Sequence, residues 1–354
     1  MAITQAKLRA TFSFRRILIP ILIGITFSTI SVLTTNFEFS ALKNIRIDPY
    51  YFSLALVCMV VRDLAYIVRI RILTEKKLRI SDAWHVVMLW EFATSVTPSI
   101  AGGSVFAFFF VNAEGINLGK STAIVLVTAL LDELFYILCV AVILLVYGKQ
   151  VMLIGSDFNF DPMLFFLIGY GVIILFTSSI LLGIFVAPQG LKYLLTKTFS
   201  ISFLKRWRPK AEKTGDEIII SSKELKGKSI LFWLKAFIAT SFSWTARYLV
   251  LNCLILALNP SLGFHLQQQV IIYAKQLIMW VILLISPTPG ASGVAEMLFP
   301  AFFAGEFAAN THAAVAVLWR GISYYPYLFI GLIILPIWLA KLEKRKKQKK
   351  NLEI

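Results

Sequence analysis

Long apolar runs dominate the chain and are separated by short polar or basic segments. A helix that crosses a bilayer needs about 20 mostly apolar residues. Six stretches meet this requirement and are predicted as membrane spans: residues 17–35, 51–68, 121–147, 163–187, 229–258 and 315–339. The pattern therefore predicts an all-α integral membrane protein with at least six transmembrane helices.

Two further apolar stretches, residues 83–111 and 270–304, are interrupted near their middles by proline and glycine. The interruptions read Thr97-Pro98-Ser99-Ile100-Ala101-Gly102-Gly103 and Ser286-Pro287-Thr288-Pro289-Gly290-Ala291-Ser292-Gly293. Proline removes a backbone donor and glycine permits non-helical conformations, so helices break at such segments. Each stretch is predicted as two short helices joined by an unwound segment.

The distribution of charge predicts how the spans are oriented. Most of the 35 Lys and Arg residues lie in four segments, residues 1–16, 69–82, 188–228 and 341–354. Segment 148–162, in contrast, carries one Lys against two Asp residues. Because basic loops stay in the cytoplasm, the four basic segments and both termini are predicted to be cytoplasmic.

The acidic segment 148–162 also constrains the two broken stretches. If both crossed the membrane completely, this segment would fall on the cytoplasmic side, against the charge rule. If each enters and returns, the first from the cytoplasm and the second from outside, all six spans fit. The prediction is six transmembrane helices plus two opposed re-entrant hairpins, an inverted repeat of the kind found in transporters. A plain eight-span bundle is the alternative.

The predicted domain organisation is correspondingly simple. Residues 1–340 form one polytopic membrane domain, which includes a basic cytoplasmic loop at 188–228, and residues 341–354 form a basic cytoplasmic tail. The apolar stretch 17–35 is long for a signal peptide and lacks a convincing cleavage site, so it is predicted to be a retained first helix.

Composition supports a membrane protein and argues against several other classes. Hydrophobic residues make up 58% of the chain and charged residues 15%, with a formal net charge of +16. These values do not fit a water-soluble globule, a disordered chain or a nucleic-acid-binding protein. We expect the basic loops and tail to set topology and to contact anionic lipids of the inner leaflet, with no nucleic-acid partner.

Ionisable residues inside apolar segments are candidates for function, because they are expensive to bury and usually face a cavity or a partner. They are Arg62, Asp63, Glu91, Asp132, Glu133, Arg247, Lys275, Glu296 and Arg320. Sequence neighbours on a helix point to different faces. Arg62 is therefore not expected to pair with Asp63, and only one of Asp132 and Glu133 is expected to face a given cavity. Ion pairs that merely hold the bundle together are the alternative role.

Glu296 and Arg320 form the most distinctive pair. Glu296 follows the Pro289-Gly290 break, where a carboxylate can cap the free amides of a helix N-terminus. A helix N-terminus buried in the membrane can also bind an anionic group, and Arg320 has a planar guanidinium that matches phosphate. Both a capping role and a ligand-binding role remain open for Glu296.

Other chemistries lack sequence support. His85, His265 and His312 are scattered without zinc-ligand spacing, and the three cysteines, Cys58, Cys139 and Cys253, lie within apolar stretches. The chain contains no P-loop, GxSxG or dinucleotide-binding motif. We expect no metal site, no cofactor and no enzymatic activity.

At the two broken segments the chain resembles the lysylphosphatidylglycerol synthase transmembrane (flippase-like) domain family. The resemblance rests on Thr97 to Gly103, on Leu131-Asp132-Glu133, and most specifically on a PTPGxxGxxE motif, Pro287 to Glu296, followed by Arg320. It implies a relative of the translocase half of the multiple peptide resistance factor, which moves aminoacylated phosphatidylglycerol between leaflets. The soluble aminoacyl-transferase domain of the synthase members is not expected in a chain that stops at Ile354. Family members often have Arg after the acidic residue of the third span, where this chain has Glu133.

Together these observations predict translocation of a phospholipid, an aminoacyl-lipid or a polyprenyl-linked lipid across the cytoplasmic membrane. Arg247 and Arg320 would neutralise phosphate, while Glu296, Asp132 or Glu133 would meet an amine or a proton. The predicted substrate-binding residues are Arg320, Glu296, Arg247, Asp132, Glu133, Pro289, Gly290, Gly293, Gly102 and Gly103.

Two other functions stay open at this point. One is a non-transporting accessory subunit of a lipid or glycan pathway. The other is a membrane-embedded lipid transferase that uses Asp132 or Glu296 as a general base. The pattern makes no prediction of the oligomeric state or of the lipid head group.

Overall fold

The structure is a computed structural model that describes residues 26, 47–97, 103–148, 162–201, 205–284, 286, 288, 290–307 and 312–352. Every regular element in these ranges is a helix, so the predicted all-α class is confirmed. The predicted first span, residues 17–35, lies outside the described residues apart from residue 26.

The helices follow one another along the chain as two comparable series. The first series comprises Pro49–Leu73 (α1), Ile80–Val96 (α2), Ser104–Ala113 (α3) and Leu118–Tyr147 (α4). The middle of the chain forms Pro162–Leu181 (α5), extended by a π-helical turn Leu182–Val186, then Pro188–Thr198 (α6) and Arg208–Lys226 (α7). The second series comprises Ile230–Leu258 (α8), Leu266–Leu284 (α9), Val294–Phe303 (α10), His312–Ser323 (α11) and Tyr325–Leu352 (α12). Short 3-10 turns occur at Lys205–Trp207 and Pro260–Leu262.

Five helical segments are long and apolar enough to cross a membrane. They are Pro49–Leu73, Leu118–Tyr147, Phe166–Val186, Ile230–Leu258 and Val315–Arg345. Each overlaps one of the six predicted spans. The chain is thus a multi-pass membrane protein, whereas the count of six spans stays a prediction because the first one lies outside the described residues.

Local interactions set the ends of the helices. Asp48 caps α1 by accepting a hydrogen bond from the Tyr50 amide at 2.8 Å, and Pro49 occupies the first helical position. At the other end the backbone of Glu75 and Lys76 takes positive φ values of 54° and 59°, which a helix cannot continue. The helix therefore extends beyond the predicted apolar stretch 51–68 and ends at Leu73, just before these two residues.

The antiparallel pair α1 and α8 forms the most extensive helix contact. The amide of Asp48 donates to the Ala257 carbonyl at 2.8 Å, and Lys228 Nζ lies 2.7 Å from Glu75 Oε2. These contacts define two ends of the molecule. We call the end with Glu75 and Lys228 the basic end, and the end with Asp48 and Ala257 the far end.

Helices α2 and α3 pack together as a hairpin that starts and finishes at the basic end. Asp82, in the first turn of α2, lies 2.7 Å from Lys341 Nζ and 3.2 Å from Arg345 Nη2. Glu114, directly after α3, pairs with the same Arg345 at 2.5 Å. At the turn Gly103 lies so close to the α2 backbone that a Cβ atom would clash there. We call this pair the first hairpin.

Helices α9 and α10 form a second hairpin that starts and finishes at the far end. Lys275 Nζ on α9 lies 2.8 Å from Glu306 Oε1, just after α10, and Asn259 Nδ2 donates to the Glu306 carbonyl at 3.1 Å. The tips of the two hairpins meet, since the Gly290 amide donates to the Thr97 carbonyl at 3.1 Å. These contacts are those that two opposed hairpins require; how deeply the hairpins enter a membrane stays a prediction.

The basic segments contain more helix than the term loop or tail implies. Segment 188–228 folds into α6 and α7, and α7 packs on α4, where the Gly119 amide donates to Glu217 Oε2 at 2.8 Å. Helix α12 continues beyond the predicted span to Leu352. Lys and Arg are good helix formers, so a change to polar residues does not end a helix.

Candidate functional site

A cavity of about 310 Å³ lies where the tips of the two hairpins meet. Its wall comes from α1, α2, α4, α8, α9 and α11, together with the tips of both hairpins and the start of α12. This volume is at the lower end of the range for ligand pockets, roughly 300–1,000 Å³. The cavity is large enough for a polar head group but not for the acyl chains of a lipid.

Aromatic side chains supply much of the wall. They are Tyr66, Trp90, Trp244, Tyr248, Trp280, Trp319, Tyr324 and Tyr327. Tyrosine and tryptophan combine a large apolar ring with one polar atom, so they line a surface that must accept both apolar and polar groups. Six ionisable residues also line the cavity: Arg69, Glu91, Asp132, Glu133, Arg247 and Arg320.

Asp132, a predicted site residue, is neutralised within the protein. The Arg69 guanidinium donates to both oxygens of its carboxylate, and Trp244 Nε1 donates to Oδ1 at 2.6 Å. Arg69 also reaches Thr240 Oγ1 at 3.3 Å and is only 5% exposed. This ion pair joins α1 to α4 and α8 beside the cavity.

Glu91 is held from behind by Arg62, which is 1% exposed. Arg62 also donates to Asp63 Oδ1 at 3.0 Å and to the Tyr327 hydroxyl, which in turn donates to Asp63. The expectation that Arg62 and Asp63 do not pair is therefore wrong. The long arginine side chain can bend back along the helix, and Tyr327 supports both partners.

Arg320 is engaged with the tip of the second hairpin. Its Nη2 donates to the Gly290 carbonyl at 2.9 Å and to Ser292 Oγ at 3.3 Å, and its guanidinium lies 3.7 Å from the centre of the Tyr324 ring. Its Nε lies 3.3 Å from Glu296 Oε1. These contacts show Arg320 shaping the tip, while its binding of a substrate phosphate stays a prediction.

Glu296 caps the N-terminus of α10, which is one of its two predicted roles. Its Oε2 accepts a hydrogen bond from the Gly293 amide at 2.7 Å, and the residue is 1% exposed. It is not among the residues that line the cavity. The structure thus shows the capping contact, whereas ligand binding by Glu296 stays a prediction.

The glycines of the two breaks permit close approaches that other residues would block. Gly290 has φ = 54° and lies against the Tyr324 ring, and Gly293 has φ = 85° at the start of α10. Gly103 and Gly290 line the cavity. The remaining predicted positions, Gly102 and Pro289, lie outside the described residues.

Arg247 and Glu133 differ from the other charges of the wall. Within the described residues, Arg247 has no carboxylate at ion-pair distance and instead lies over the Trp244 ring, 5.3 Å from its centre. Glu133 Oε2 is buried, and no described residue hydrogen-bonds to it. Arg247 is attracted at longer range by the carboxylates of Glu91 and Asp63 but has no direct ion pair, whereas no described cation interacts with Glu133.

Asp132 and Glu133 both line the cavity, so the expectation that only one of them would face it is wrong. Adjacent residues on a helix are separated by about 100° around its axis. The cavity extends across enough of α4, from Thr128 to Glu133, to reach both side chains.

Arg69 is a site residue that sequence reasoning missed, because it was assigned to a cytoplasmic loop. A helical signal was present: Arg62, Tyr66 and Arg69 are spaced by four and three residues and so share one helix face. In the structure both guanidinium groups lie within 5.1 Å of the Tyr66 ring centre.

Metal ligands do not converge in the part of the chain that the structure describes. No three His, Cys, Asp or Glu side chains come together there in a group that could hold a metal ion. Cys58, Cys139 and Cys253 are free thiols.

Comparison with known proteins identifies the family of this chain. A family model described as "Lysylphosphatidylglycerol synthase TM region" matches residues 17–331. A relative named UPF0104 membrane protein, from Archaeoglobus fulgidus, is 25% identical over 271 residues, which cover 75% of this chain and 78% of the relative. Because the family model spans most of the chain, this protein belongs to the lysylphosphatidylglycerol synthase transmembrane region family.

Proposed function

We propose that this protein translocates a lipid with a phosphate-containing head group across the cytoplasmic membrane. The head group would cross through the cavity at the hairpin tips while the acyl chains remain in the hydrocarbon. A phospholipid, an aminoacyl-lipid or a polyprenyl-linked lipid would each meet this description. The chain would act as a transporter and not as an enzyme.

The position of Arg247 is the observation that carries the proposal. A charged side chain inside a membrane protein is costly unless it is paired or solvated. Arg247 lines the cavity, and no carboxylate among the described residues lies at ion-pair distance from it. A phosphate that enters the cavity would complete this pairing, because guanidinium and phosphate form strong charge-assisted hydrogen bonds.

The surrounding ion pairs support transit of a polar group. Arg69 with Asp132 and Arg62 with Glu91 keep polar atoms along the wall at the level of the hairpin tips. Such a wall lowers the cost of moving a head group out of water. Since the chain has no nucleotide-binding motif, a lipid gradient or coupling to an ion would drive the movement.

The charge pattern supports an orientation for this transport. Both termini would be cytoplasmic, with the basic end, including α6, α7 and the end of α12, against the anionic lipids of the inner leaflet. Glu75, Lys120 and Lys228 connect α1, α4 and α8 at this end.

The experiment is a translocation assay in proteoliposomes. Purified protein is reconstituted with lipids fluorescently labelled on an acyl chain, and dithionite measures how fast the label moves from the inner to the outer leaflet. We expect the wild type to exceed protein-free vesicles, and Arg247→Gln to slow movement about tenfold or more, as loss of a charged hydrogen bond predicts.

Lys235→Gln is the matched control. Lys235 lies on the same helix, α8, but is exposed and does not line the cavity. The Lys235→Gln substitution removes one positive charge, as Arg247→Gln does, and should leave the translocation rate within about twofold of the wild type, because surface substitutions usually have small effects. Movement no faster than in protein-free vesicles, for all head groups, would contradict the transport function and leave an accessory-subunit role.

A further inference from the structure

Three buried polar atoms of cavity-lining residues make no hydrogen bond in the described part of the chain: Glu133 Oε2, the hydroxyl of Tyr248 and Arg320 Nε. Arg320 Nε lies 3.3 Å from Glu296 Oε1 in an ion pair, so Glu133 Oε2 and the Tyr248 hydroxyl are left without a partner. Buried polar groups are nearly always hydrogen-bonded in native proteins, so each such group needs an explanation. Both side chains line the same cavity as Arg247.

Accounting for the charges of the wall isolates one position of each sign. Arg69 is ion-paired with Asp132 and Arg320 with Glu296, while Arg62 is shared between Glu91 and Asp63. Arg247 attracts Glu91 and Asp63 only at longer range. Among the described lining residues this leaves Arg247 as a cation and Glu133 as a carboxyl group without a direct ion pair. A ligand that carries both a negative and a positive group would satisfy the two positions.

Aromatic rings line the same cavity as the Glu133 carboxyl group. Trp280 and Tyr248 line the cavity, and Tyr136, three residues after Glu133 on α4, has its ring centre 4.8 Å from that of Trp280. Trp244 lies 5.7 Å from Trp280 and completes the cluster. Aromatic faces attract cations, and they do so most strongly where water is excluded.

We propose that the head group carried by this protein is zwitterionic, with one phosphodiester and one ammonium group. Arg247 binds the phosphodiester, while Glu133 and the Tyr248 hydroxyl accept hydrogen bonds from the ammonium group beside Trp280. This inference rests on the proposed function and specifies its substrate class. A purely anionic head group would leave Glu133 without a partner, and a head group with two ammonium groups would bring one more cation than the wall can match.

The test compares two lipids with identical labelled acyl chains in the same proteoliposomes, a phosphatidylethanolamine and a phosphatidylglycerol. We expect the wild type to move the ethanolamine lipid at least about tenfold faster, since a hydrogen bond to a charged group is involved. Glu133→Gln should reduce the ratio of the two rates to within about twofold. Tyr248→Phe should reduce it by a smaller factor, because only a neutral hydroxyl is lost.

Matched controls separate this effect from general damage. Glu212→Gln changes an exposed carboxylate on α7, and Tyr193→Phe removes an exposed hydroxyl on α6. Both should keep the wild-type ratio. If Glu133→Gln does not fold, an inhibition assay on the wild type alone tests the same inference. Soluble glycerophosphoethanolamine should inhibit transport more strongly than glycerophosphoglycerol.

The outcomes distinguish the two proposals. If the wild type moves neither lipid faster than empty vesicles, the transport function fails and the zwitterion inference fails with it. If the wild type moves both lipids at equal rates, or if both soluble head groups inhibit equally, only the zwitterion inference is overturned. An unchanged ratio in a well-folded Glu133→Gln protein also overturns it.

Discussion

At the scale of single residues, Arg247 and Arg320 show how neighbours decide what an arginine can do. Both line the cavity, but Arg320 is bonded to Gly290 and Ser292 and stacked on Tyr324. Arg247 lies over the face of Trp244 and has no carboxylate at ion-pair distance among the described residues. Arg320 therefore maintains the shape of the tip, whereas Arg247 makes no such contacts with the tip and stays the proposed phosphate ligand.

Gly290 provides a test of this tip geometry. A Cβ atom at Gly290 would clash with the Tyr324 ring, and its φ of 54° is unfavourable for any other residue. Gly290→Ala should cost about 1–3 kcal/mol from backbone strain alone and lower the Tm in a detergent-based thermal unfolding assay. Gly321→Ala is the control, because Gly321 has open space around it within α11. Equal Tm values for the two variants would contradict a closely packed tip.

Single residues were predictable from sequence where one local rule decides their role. Glu296 follows a helix break, so capping was among its predicted roles, and that contact is present. Arg69 was not predictable in the same way, because its role depends on Asp132, which is 63 positions away in the chain. Hydropathy places a basic residue near the end of a span in a loop, whereas the backbone continues as helix to Leu73.

At the scale of helices, charged contacts at the basic end fix the first hairpin. Arg345 of α12 pairs with Asp82 at the start of α2 and with Glu114 after α3, and Trp338 Nε1 also donates to Glu114 at 2.7 Å. The side chain of Glu114 is fully buried. A single helix thus connects both ends of the hairpin, which leaves the tip to be positioned by Thr97 and its contact with Gly290.

Arg345→Gln should weaken this connection. The substitution leaves the buried Glu114 with a hydrogen bond from Trp338 but without its cationic partner. Because Arg345 is partly exposed, we expect the free energy of unfolding to fall by only roughly 1 kcal/mol. The measurement is the Tm in detergent at low and high salt. Lys344→Gln removes the same charge from an exposed neighbouring position and should have little effect. A larger effect at Lys344 would show that net charge matters more than these contacts.

A second element-scale contact depends on pH. Glu75 accepts hydrogen bonds from Lys228 and Lys120; the Lys228 bond contributes most to lowering the pKa of Glu75, and partial burial opposes it. Because the folded-state pKa is lowered, the contribution to stability is present above the ordinary glutamate pKa of about 4.3 and is lost as the pH falls through the lowered value.

The corresponding measurement compares the Tm of the wild type and Glu75→Gln at several pH values. The difference should be fully present at pH 7, should shrink below about pH 4.3 and should vanish below the lowered pKa. Glu212→Gln is the control, because Glu212 makes one exposed pair with Arg208 and should give a small difference at every pH. If the difference in Tm between the wild type and Glu75→Gln grew as the pH fell, the lowered pKa of Glu75 would be contradicted.

The lengths of helices were less predictable than their existence. The sequence predicted a span at 229–258, close to the observed Ile230–Leu258, because apolar residues fill that helix to its ends. The last span was predicted to end at residue 339, whereas α12 continues to Leu352 through a run of Lys and Arg. Hydropathy reports the thickness of the apolar layer, while helix ends depend on caps and backbone conformation.

At the scale of the whole molecule, the two hairpins start at opposite ends and meet at their tips. Asp82 and Glu114 lie together at the basic end, and Lys275 and Glu306 lie together at the far end. A plain eight-span bundle requires the two ends of each broken segment to lie at opposite ends of the molecule. The observed contacts therefore favour the re-entrant arrangement that charge counting predicted, and the cavity lies where the two tips meet.

Labelling with a membrane-impermeant thiol reagent tests this topology in cells. In a background without Cys58, Cys139 and Cys253, four single cysteines flank the hairpins: Ser81→Cys and Leu118→Cys around the first, Gln267→Cys and Gly305→Cys around the second. We expect the first two to react only after the cells are opened and the last two to react in intact cells. Both members of each pair thus report the same side of the membrane, because each hairpin returns to the side from which it enters. In an eight-span bundle the two members of a pair would react from opposite sides. That result would contradict the two hairpins and remove the structural basis for a head-group pathway between their tips.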